Sequence, residues 1–351
     1  MNHSAFDHLP VAVFAMAPEL AALSWPQESR STCTNCAVGG PVPHSTPERP
    51  FDASVRCCTY YPSHPNYLVG QALRRGGLGA ERVREQIAAG GEGITVLGVV
   101  PTAALAETWK ERGPDAFGRD ADLLCPYFIS GATDACSVWH DRGAVCRTWF
   151  CRHDEGPRGR SLWNQVRRVL RSVERRLAAC CIACGEPPSQ DVWPDPDAVE
   201  AWYRWCAEHV ESLTPAEAVS LRDPQLEERI RALEAKHAVH ARPLPEFLGP
   251  HIRKIEPHED GGFRAAAFTP LDVERLPDNI FQLLSRLDGH TAWADAVAGA
   301  NEAVGEAAFD RAFMEFLWHR GLVEERDPDA PDPEPGMSAA TLVSAAWDDP
   351  I

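Results

Sequence analysis

The amino-acid sequence predicts a mainly α-helical protein that has an irregular cysteine-rich core and a small helical or winged-helix-like module near the C-terminus. Three observations lead to this fold class. Eight cysteines cluster in glycine- and proline-rich sequence, which disfavours long helices and strands. Apolar residues then recur at helical spacing from about residue 161 onward. Two further apolar helical stripes lie between residues 280 and 317.

The cysteines are the most informative residues, because eight of the 12 fall in two groups with short spacings. Soft metals are held by several convergent sulfurs, and loop-like sequence can bring such sulfurs together where one regular helix or strand cannot. The predicted metal ligands are Cys33, Cys36, Cys57, Cys58, Cys125, Cys136, Cys146 and Cys151. They predict a metal-stapled core that holds zinc or an iron–sulfur cluster.

The expected redox compartment favours metal over disulfides. The N-terminal residues show neither a basic segment nor an apolar run of the kind that directs export, and no run is long enough to span a membrane. We therefore expect a cytoplasmic protein with no membrane partner, in which cysteines stay reduced and more often hold metal than form disulfides. Buried or redox-paired thiols are the alternative interpretation.

The charge distribution argues against a nucleic-acid surface over most of the chain. The formal net charge is −17, whereas phosphate backbones select basic patches. One basic island with ten arginines lies within residues 142–176. Arg142, Arg147 and Arg152 alternate with the late cysteines and are expected to neutralise thiolate charge. Arg167, Arg171 and Arg175 recur every four residues and predict a solvated helix face, and an anionic partner is the alternative.

The elements before residue 161 are predicted to be short. Residues 1–30 are expected to form a flexible arm, and residues 31–160 a cysteine-cluster domain. Within that domain a helix is expected over 81–89, a β-rich run over 94–100 and a helix that opens at Pro101-Thr102. These pieces are expected to cover the metal core.

Residues 161–257 are predicted to form a helical layer. A long amphipathic helix starts near 161 and ends at Gly185, which is a natural C-terminal cap. Cys180 and Cys184 lie on its apolar side, and they are interpreted with Cys206 as small buried hydrophobic residues. N-terminal caps at Asp195, Thr214 and Asp223 predict three further helix starts.

Residues 268–325 predict a separate small module, in which two apolar helical stripes flank the Asp288-Gly289 turn. This pattern resembles the winged-helix domains with which some peptide-modifying enzymes hold a leader or substrate peptide. The resemblance implies a protein or peptide partner for 268–325, while a generic helical cap is the alternative. Residues 326–351 are acidic and proline-rich and are expected to be disordered.

The order of the eight cysteines resembles the YkgJ-like cysteine-cluster family, whose pattern is CxxCxxCC followed by CPF/Y, a cysteine before an aliphatic and an aromatic residue, and CRxF/YxC. In this chain the compact first motif is divided by an insertion at 37–56. The resemblance implies a zinc- or iron-chelating domain over about 33–151. The family includes flagellin lysine N-methylases, so the resemblance also implies a protein-modifying enzyme as an alternative.

The functional prediction is a metal-binding protein that holds one or more zinc or iron–sulfur centres through its eight cysteines, a number that fits two four-sulfur sites. In an extended segment Cys57 and Cys58 would point to opposite faces, so they would serve two different centres, or one would bind a metal and the other would lie beside that metal site. His140 and His153 flank the late cysteines, as neighbours of the metal site or as substitutes for a sulfur. The residues leave three roles open: a structural or redox centre without a reaction, an enzyme that modifies a protein or peptide, and metal storage or delivery.

Overall fold

A computed structural model describes residues 5–26, 28, 52, 54–130, 135–150, 153, 155–189, 195–266 and 273–329. In this part of the chain the protein is mainly helical and has small antiparallel sheets of two or three short strands. The predicted mainly α-helical class is confirmed at this level. The chain divides into two compact units.

The first unit comprises the described residues up to 150 together with 161–239. Its helices are α1 (Val11–Met16), α2 (Glu19–Ala22), α3 (Asn66–Arg75), α4 (Gly77–Ala89), α5 (Ala103–Arg112), α6 (Ala144–Arg147), α7 (Gly156–Cys184), α8 (Pro196–Ser212), α9 (Pro215–Ser220) and α10 (Pro224–His240). Its strands are β1 (His64–Pro65), β2 (Ile94–Thr95), β3 (Gly98–Val99), β4 (Phe128–Ile129) and β5 (Ala135–Cys136). Short 3₁₀ turns lie at Arg56–Thr59, Pro114–Ala116, Ala121–Leu123 and Trp139–Asp141. The first turn of α7 and the last residue of α10 count with the second unit.

The core of the first unit contains the apolar face of α7, which is the long helix that the sequence predicts. Leu162, Val173 and Leu177 are fully buried along this face. The backbone N–H of Gly185 donates to the carbonyl of Cys181 at 2.9 Å, so the predicted C-terminal cap is confirmed. The helix begins at Gly156, about one turn before the predicted start.

A glycine allows α3 and α8 to pack at very short range. A Cβ atom at Gly70 would lie 1.9 Å from the carbonyl oxygen of Tyr203 and 2.9 Å from the Cβ of Ala207. The Tyr203 hydroxyl donates to the carbonyl of Thr95 at 2.8 Å, and the Trp202 indole donates to the carbonyl of Val96 at 3.0 Å. Helix α8 is thus held on one side by α3 and on another by the turn between β2 and β3.

The predicted β-rich run at 94–100 is a tight hairpin rather than one strand. Strands β2 and β3 pair antiparallel, and β1 joins them in the order β1-β3-β2. The reversal occurs because Gly98 has a φ of 133°, a region that favours glycine. Its absent side chain also leaves room for the carbonyl of His64, which would lie 2.1 Å from a Cβ atom.

The predicted helix starts are confirmed by side-chain caps. The side chains of Thr102, Asp195 and Asp223 accept hydrogen bonds from the backbone of the turn that follows each of them. Thr214 and Glu217 form the predicted capping box.

The expected flexible arm over 1–30 requires a correction, because α1 and α2 pack into the core of the first unit. Val13, Met16 and Leu20 are each at most 1% exposed. These helices have six and four residues, so the apolar period is too short to recognise in the sequence. The residues before each helix are Pro10 and Pro18.

The second unit comprises the described residues 153, 155–160 and 240–329. Its remaining elements are β6 (Leu248–Pro250), β7 (Lys254–Pro257), β8 (Phe263–Ala266), β9 (Val273–Leu276), α11 (Ile280–Leu284), α12 (Trp293–Val304), α13 (Arg311–His319) and β10 (Val323–Glu325). One sheet has the order β7-β8-β9, and β6 pairs with β10 in another. The unit has its own apolar core, in which Leu283, Met314 and Leu317 are fully buried.

The boundaries of the C-terminal module also differ from the prediction. The helices at α11 and α13 and the turn at Asp288 agree with the predicted stripes and turn. Strands β6 to β9, however, lie at 248–276, across the end of the predicted helical layer and the start of the predicted module. They have three or four residues each and mixed exposure, so no regular alternation marks them in the sequence.

None of the helices in the described ranges combines the length and the apolar character that a membrane crossing needs. Of the predicted disordered tail, residues from 330 onward lie outside the described part of the chain.

Candidate metal-binding sites

Five of the eight predicted cysteine ligands lie in the described part of the chain, and Cys33, Cys36 and Cys151 lie outside it. The five occupy four separate segments of the first unit. Cys57 and Cys58 lie in the Arg56–Thr59 turn, and Cys125 follows the Ala121–Leu123 turn. Cys136 ends β5 and Cys146 lies in α6.

Backbone pairing brings these segments together. The N–H of Cys125 donates to the carbonyl of Cys58 at 2.7 Å, which joins the first turn to the second. Strands β4 and β5 then pair so that Phe128 lies opposite Cys136. Residues that are about 70 to 90 positions apart in the sequence thus converge, as a cluster of loop cysteines requires.

The thiols of the converged segments influence one another electrostatically. Burial, with smaller contributions from the charges of Cys136 and Cys57, raises the pKa of the Cys125 thiol to about 12. Burial also raises the pKa of the thiols of Cys136 and Cys146, and Cys57 contributes to both shifts. Without a cation these thiols therefore stay protonated at neutral pH, and a bound metal would have to displace their protons.

The expected geometry of the vicinal pair is wrong. Cys57 and Cys58 lie in a 3₁₀ turn rather than in an extended segment, and Arg56 before them has a φ of 54°. Cys58 has a φ of −78° and a ψ of 16°, so the two side chains do not alternate as they would in an extended strand. Opposite faces of a strand therefore give no reason to assign Cys57 and Cys58 to different centres.

The arginines between the late cysteines have different roles. The Arg142 guanidinium lies 3.5 Å from the centroid of the Trp139 ring, donates to the carbonyl of Cys146 at 3.0 Å, and lowers the pKa of the Cys136 and Cys146 thiols. Arg147 instead donates to the carbonyl oxygens of Asp7, His140 and Arg142. Arg142 therefore contributes the predicted neutralisation at Cys136 and Cys146. Arg152 lies outside the described residues.

The carboxyl group of Glu174, in α7, is buried next to the start of α6. The N–H of Ala144 donates to Glu174 Oε1 at 2.6 Å, and Glu174 is 8% exposed. Burial raises the pKa of the Glu174 carboxyl to about 7, although Arg147 opposes the shift.

The two histidines near the late cysteines make contacts elsewhere. The His140 ring packs edge-on against His8 with ring centroids 4.5 Å apart, and its carbonyl accepts from Arg147. His153 counts with the second unit, where its carbonyl accepts from Arg320. Neither contact tests the proposal that these residues replace a sulfur.

A second group of metal-ligand side chains lies where α7 ends. Cys180 Sγ lies 3.7 Å from Cys184 Sγ and 3.7 Å from His209 Nε2. Among the described residues this is the only set of three such ligand atoms that all lie within 4.8 Å of one another. The described members of the predicted octet form no such set.

The interpretation of Cys184 as a small buried residue is therefore wrong. Cys184 is exposed, whereas Cys181 and Cys206 are fully buried and Cys180 is 7% exposed. The i, i+4 spacing of Cys180 and Cys184 is a readable signal for a shared helix face. The third ligand atom belongs to His209 in α8, and no local sequence pattern predicts that α8 packs beside the end of α7.

Comparison of the chain with protein-family models, with curated proteins and with solved structures found no match.

Proposed function

We propose that the protein binds metal through the predicted cysteine octet and that the metal holds the first unit together. The observation that supports this proposal is the convergence of Cys57, Cys125, Cys136 and Cys146 from four separate segments, close enough for their charges to act on one another. Buried thiols that repel one another as thiolates are stabilised by a cation. The cysteine order that resembles the YkgJ-like family supports the same proposal.

Zinc and an iron–sulfur cluster both fit this donor set, because each accepts four thiolates. Sites that are fully coordinated by protein favour a structural or electron-transfer role over hydrolysis. Reduced thiols are required in either case, so the proposal places the protein in the cytoplasm. Storage or delivery of metal would instead require labile coordination.

Substitution of the converged cysteines is the direct test. We expect Cys57→Ser and Cys146→Ser to lose most of the octet's metal and to aggregate more readily, because metal binding contributes directly to folding free energy. The matched control is Cys206→Ala, since Cys206 is fully buried, is not a member of the octet and interacts through its thiol with Cys181. Metal is measured by elemental analysis after anaerobic purification, and the visible spectrum separates iron–sulfur from zinc. Equal metal content in all three variants and the unsubstituted chain would contradict the proposal.

A second candidate function is an enzyme that modifies a protein or peptide and holds its substrate with the second unit, as a winged-helix-like clamp. This proposal is supported by the separate apolar core of that unit and by its sheet, in which β7 and β9 are edge strands among the described residues. Edge strands present backbone groups to which an extended peptide can add.

Truncation tests the clamp. The strands at 248–257 belong to the second unit, so the cut must fall after Val239 and not within the sheets. We expect the chain 1–239 to keep the metal of the intact protein and to lose partners that the intact protein retains in pull-downs from its native cell. Loss of metal would show that the two units do not fold independently. Unchanged recovery of partners would rule out the clamp.

A further inference from the structure

The side chains of Cys180, Cys184 and His209 have the spacing of a tetrahedral zinc site. With Zn–S bonds of about 2.3 Å and a Zn–N bond of about 2.0–2.1 Å, tetrahedral coordination separates two sulfurs by about 3.8 Å and a sulfur from a nitrogen by about 3.6 Å. The observed separations are 3.7 Å for Cys180 Sγ to Cys184 Sγ, 3.7 Å for Cys180 Sγ to His209 Nε2 and at most 4.8 Å for Cys184 Sγ to His209 Nε2. A single ion could therefore contact all three atoms with little movement of the side chains.

Helix geometry fixes the two sulfurs. Cys180 and Cys184 occupy adjacent turns of α7, so the helix holds them on one face in its last two turns. The C-terminal end of a helix carries partial negative charge, which disfavours a thiolate alone but favours a bound cation.

Aromatic stacking fixes the imidazole. The His209 ring stacks on Trp205 with a centroid distance of 4.8 Å and an interplanar angle of 7°. Trp205 stacks in turn on Trp202, at 5.3 Å and 14°. A Cβ atom at Gly185 would lie 2.4 Å from the Trp205 ring, so the end of α7 contacts this stack directly. Trp205 thus supports one face of the imidazole ring whose Nε2 lies near the Cys180 sulfur.

Among the described residues no fourth cysteine, histidine or carboxylate joins these three, so the fourth coordination position is open to a ligand from solvent. Cys184 is exposed and His209 is partly exposed, while Cys180 is buried beneath them. Structural zinc sites are usually closed by four protein ligands, whereas three protein ligands and one solvent ligand are typical of reactive zinc centres. Two thiolates and one imidazole form a donor set that suits zinc.

We infer that Cys180, Cys184 and His209 bind one Zn²⁺ ion with a solvent-accessible fourth position. This site is distinct from the cysteine octet, because none of its three ligands belongs to the octet. The inference therefore holds or fails independently of the proposed function.

Zinc protection of Cys184 from alkylation tests the inference at the level of the residue. The full-length protein is reduced, stripped of metal and treated with iodoacetamide with and without one added equivalent of Zn²⁺, and the modified peptides are identified by mass spectrometry. We expect zinc to slow the alkylation of Cys184 at least tenfold. We expect His209→Gln to abolish that protection while the helices remain intact by circular dichroism. Equal alkylation of Cys184 with and without zinc would overturn the inference, as would a Cys180–Cys184 disulfide that persists after reduction.

Metal stoichiometry separates this site from the octet. We expect Cys184→Ser to lose one zinc ion per chain relative to the unsubstituted protein. The control is Cys181→Ala on the same helix, whose thiol donates instead to the carbonyl of Cys206 at 3.7 Å and which should retain that ion. Cys57→Ser should retain zinc protection of Cys184 even if the octet loses its metal. Unchanged zinc content in Cys184→Ser, or retention of Cu⁺ but not Zn²⁺ by the unsubstituted site, would contradict the assignment.

Discussion

Gly70→Ala is expected to lower the free energy of unfolding of the first unit by about 3 kcal/mol. The new methyl group would lie 1.9 Å from the carbonyl oxygen of Tyr203 and 2.7 Å from its carbonyl carbon. Both obstructing atoms are backbone, so the strain can be relieved only if α3 and α8 separate. The midpoint of urea unfolding, followed by circular dichroism, measures the effect.

The matched control for this substitution is Gly143→Ala. A Cβ atom there would meet its nearest neighbours at 3.6 Å, which is ordinary van der Waals contact, and Gly143 has a φ of −72° that any residue can adopt. We expect the control to unfold within about 0.5 kcal/mol of the unsubstituted protein. If Gly70→Ala has the same urea midpoint as the control, α3 and α8 do not pack closely enough at Gly70 to exclude a methyl group.

Arg147→Met is expected to destabilise the first unit by about 3–5 kcal/mol, because methionine keeps the apolar volume but removes every donor. The guanidinium donates to carbonyl oxygens of Asp7, His140 and Arg142, and Arg147 is only 2% exposed. Burial lowers its pKa to about 10, so the group stays charged at neutral pH. Its loss would leave the carbonyl groups of Asp7, His140 and Arg142 without this donor.

An exposed arginine provides the comparison for Arg147. Arg84 pairs with Glu200 at 2.9 Å, but its side chain is 47% exposed. Surface ion pairs contribute at most about 1 kcal/mol, so Arg84→Met should have a small effect on the same urea midpoint. Similar midpoints for the two variants would show that the carbonyl groups of Asp7, His140 and Arg142 find other hydrogen-bond donors, such as water, when Arg147 is replaced.

The sequence predicts features that depend on local residues. The caps at Asp195 and Thr214 and the apolar face of α7 follow from short-range patterns, and the structure confirms them. The hydrogen bonds of Arg147 depend on segments up to 140 residues apart, which no local pattern encodes. The alternation of arginines and cysteines in the sequence therefore could not indicate that Arg147 binds these backbone carbonyl groups.

For the candidate metal sites too, the sequence predicts the local features and not those that depend on long-range packing. Short spacings identify the octet as a group of cysteines, but its geometry depends on loops, and three of its members lie outside the described residues. The spacing of Cys180 and Cys184 along a helix can be recognised in the sequence. The exposure of Cys184 and the contact between Cys180 and His209 depend instead on how α8 packs. Strands β6 to β9 are too short for a recognisable alternation.

The buried carboxyl of Glu174 couples folding to the uptake of a proton. An unfolded glutamate has a pKa of about 4.3, whereas burial raises the pKa of Glu174 to about 7 in the folded chain. Between these two values the folded state binds the proton more tightly, so this group favours folding fully below about pH 4 and loses its contribution as the pH rises through about 7. This dependence is opposite in sign to that of most carboxylates, and it makes mildly acidic solution the more favourable condition for this part of the core.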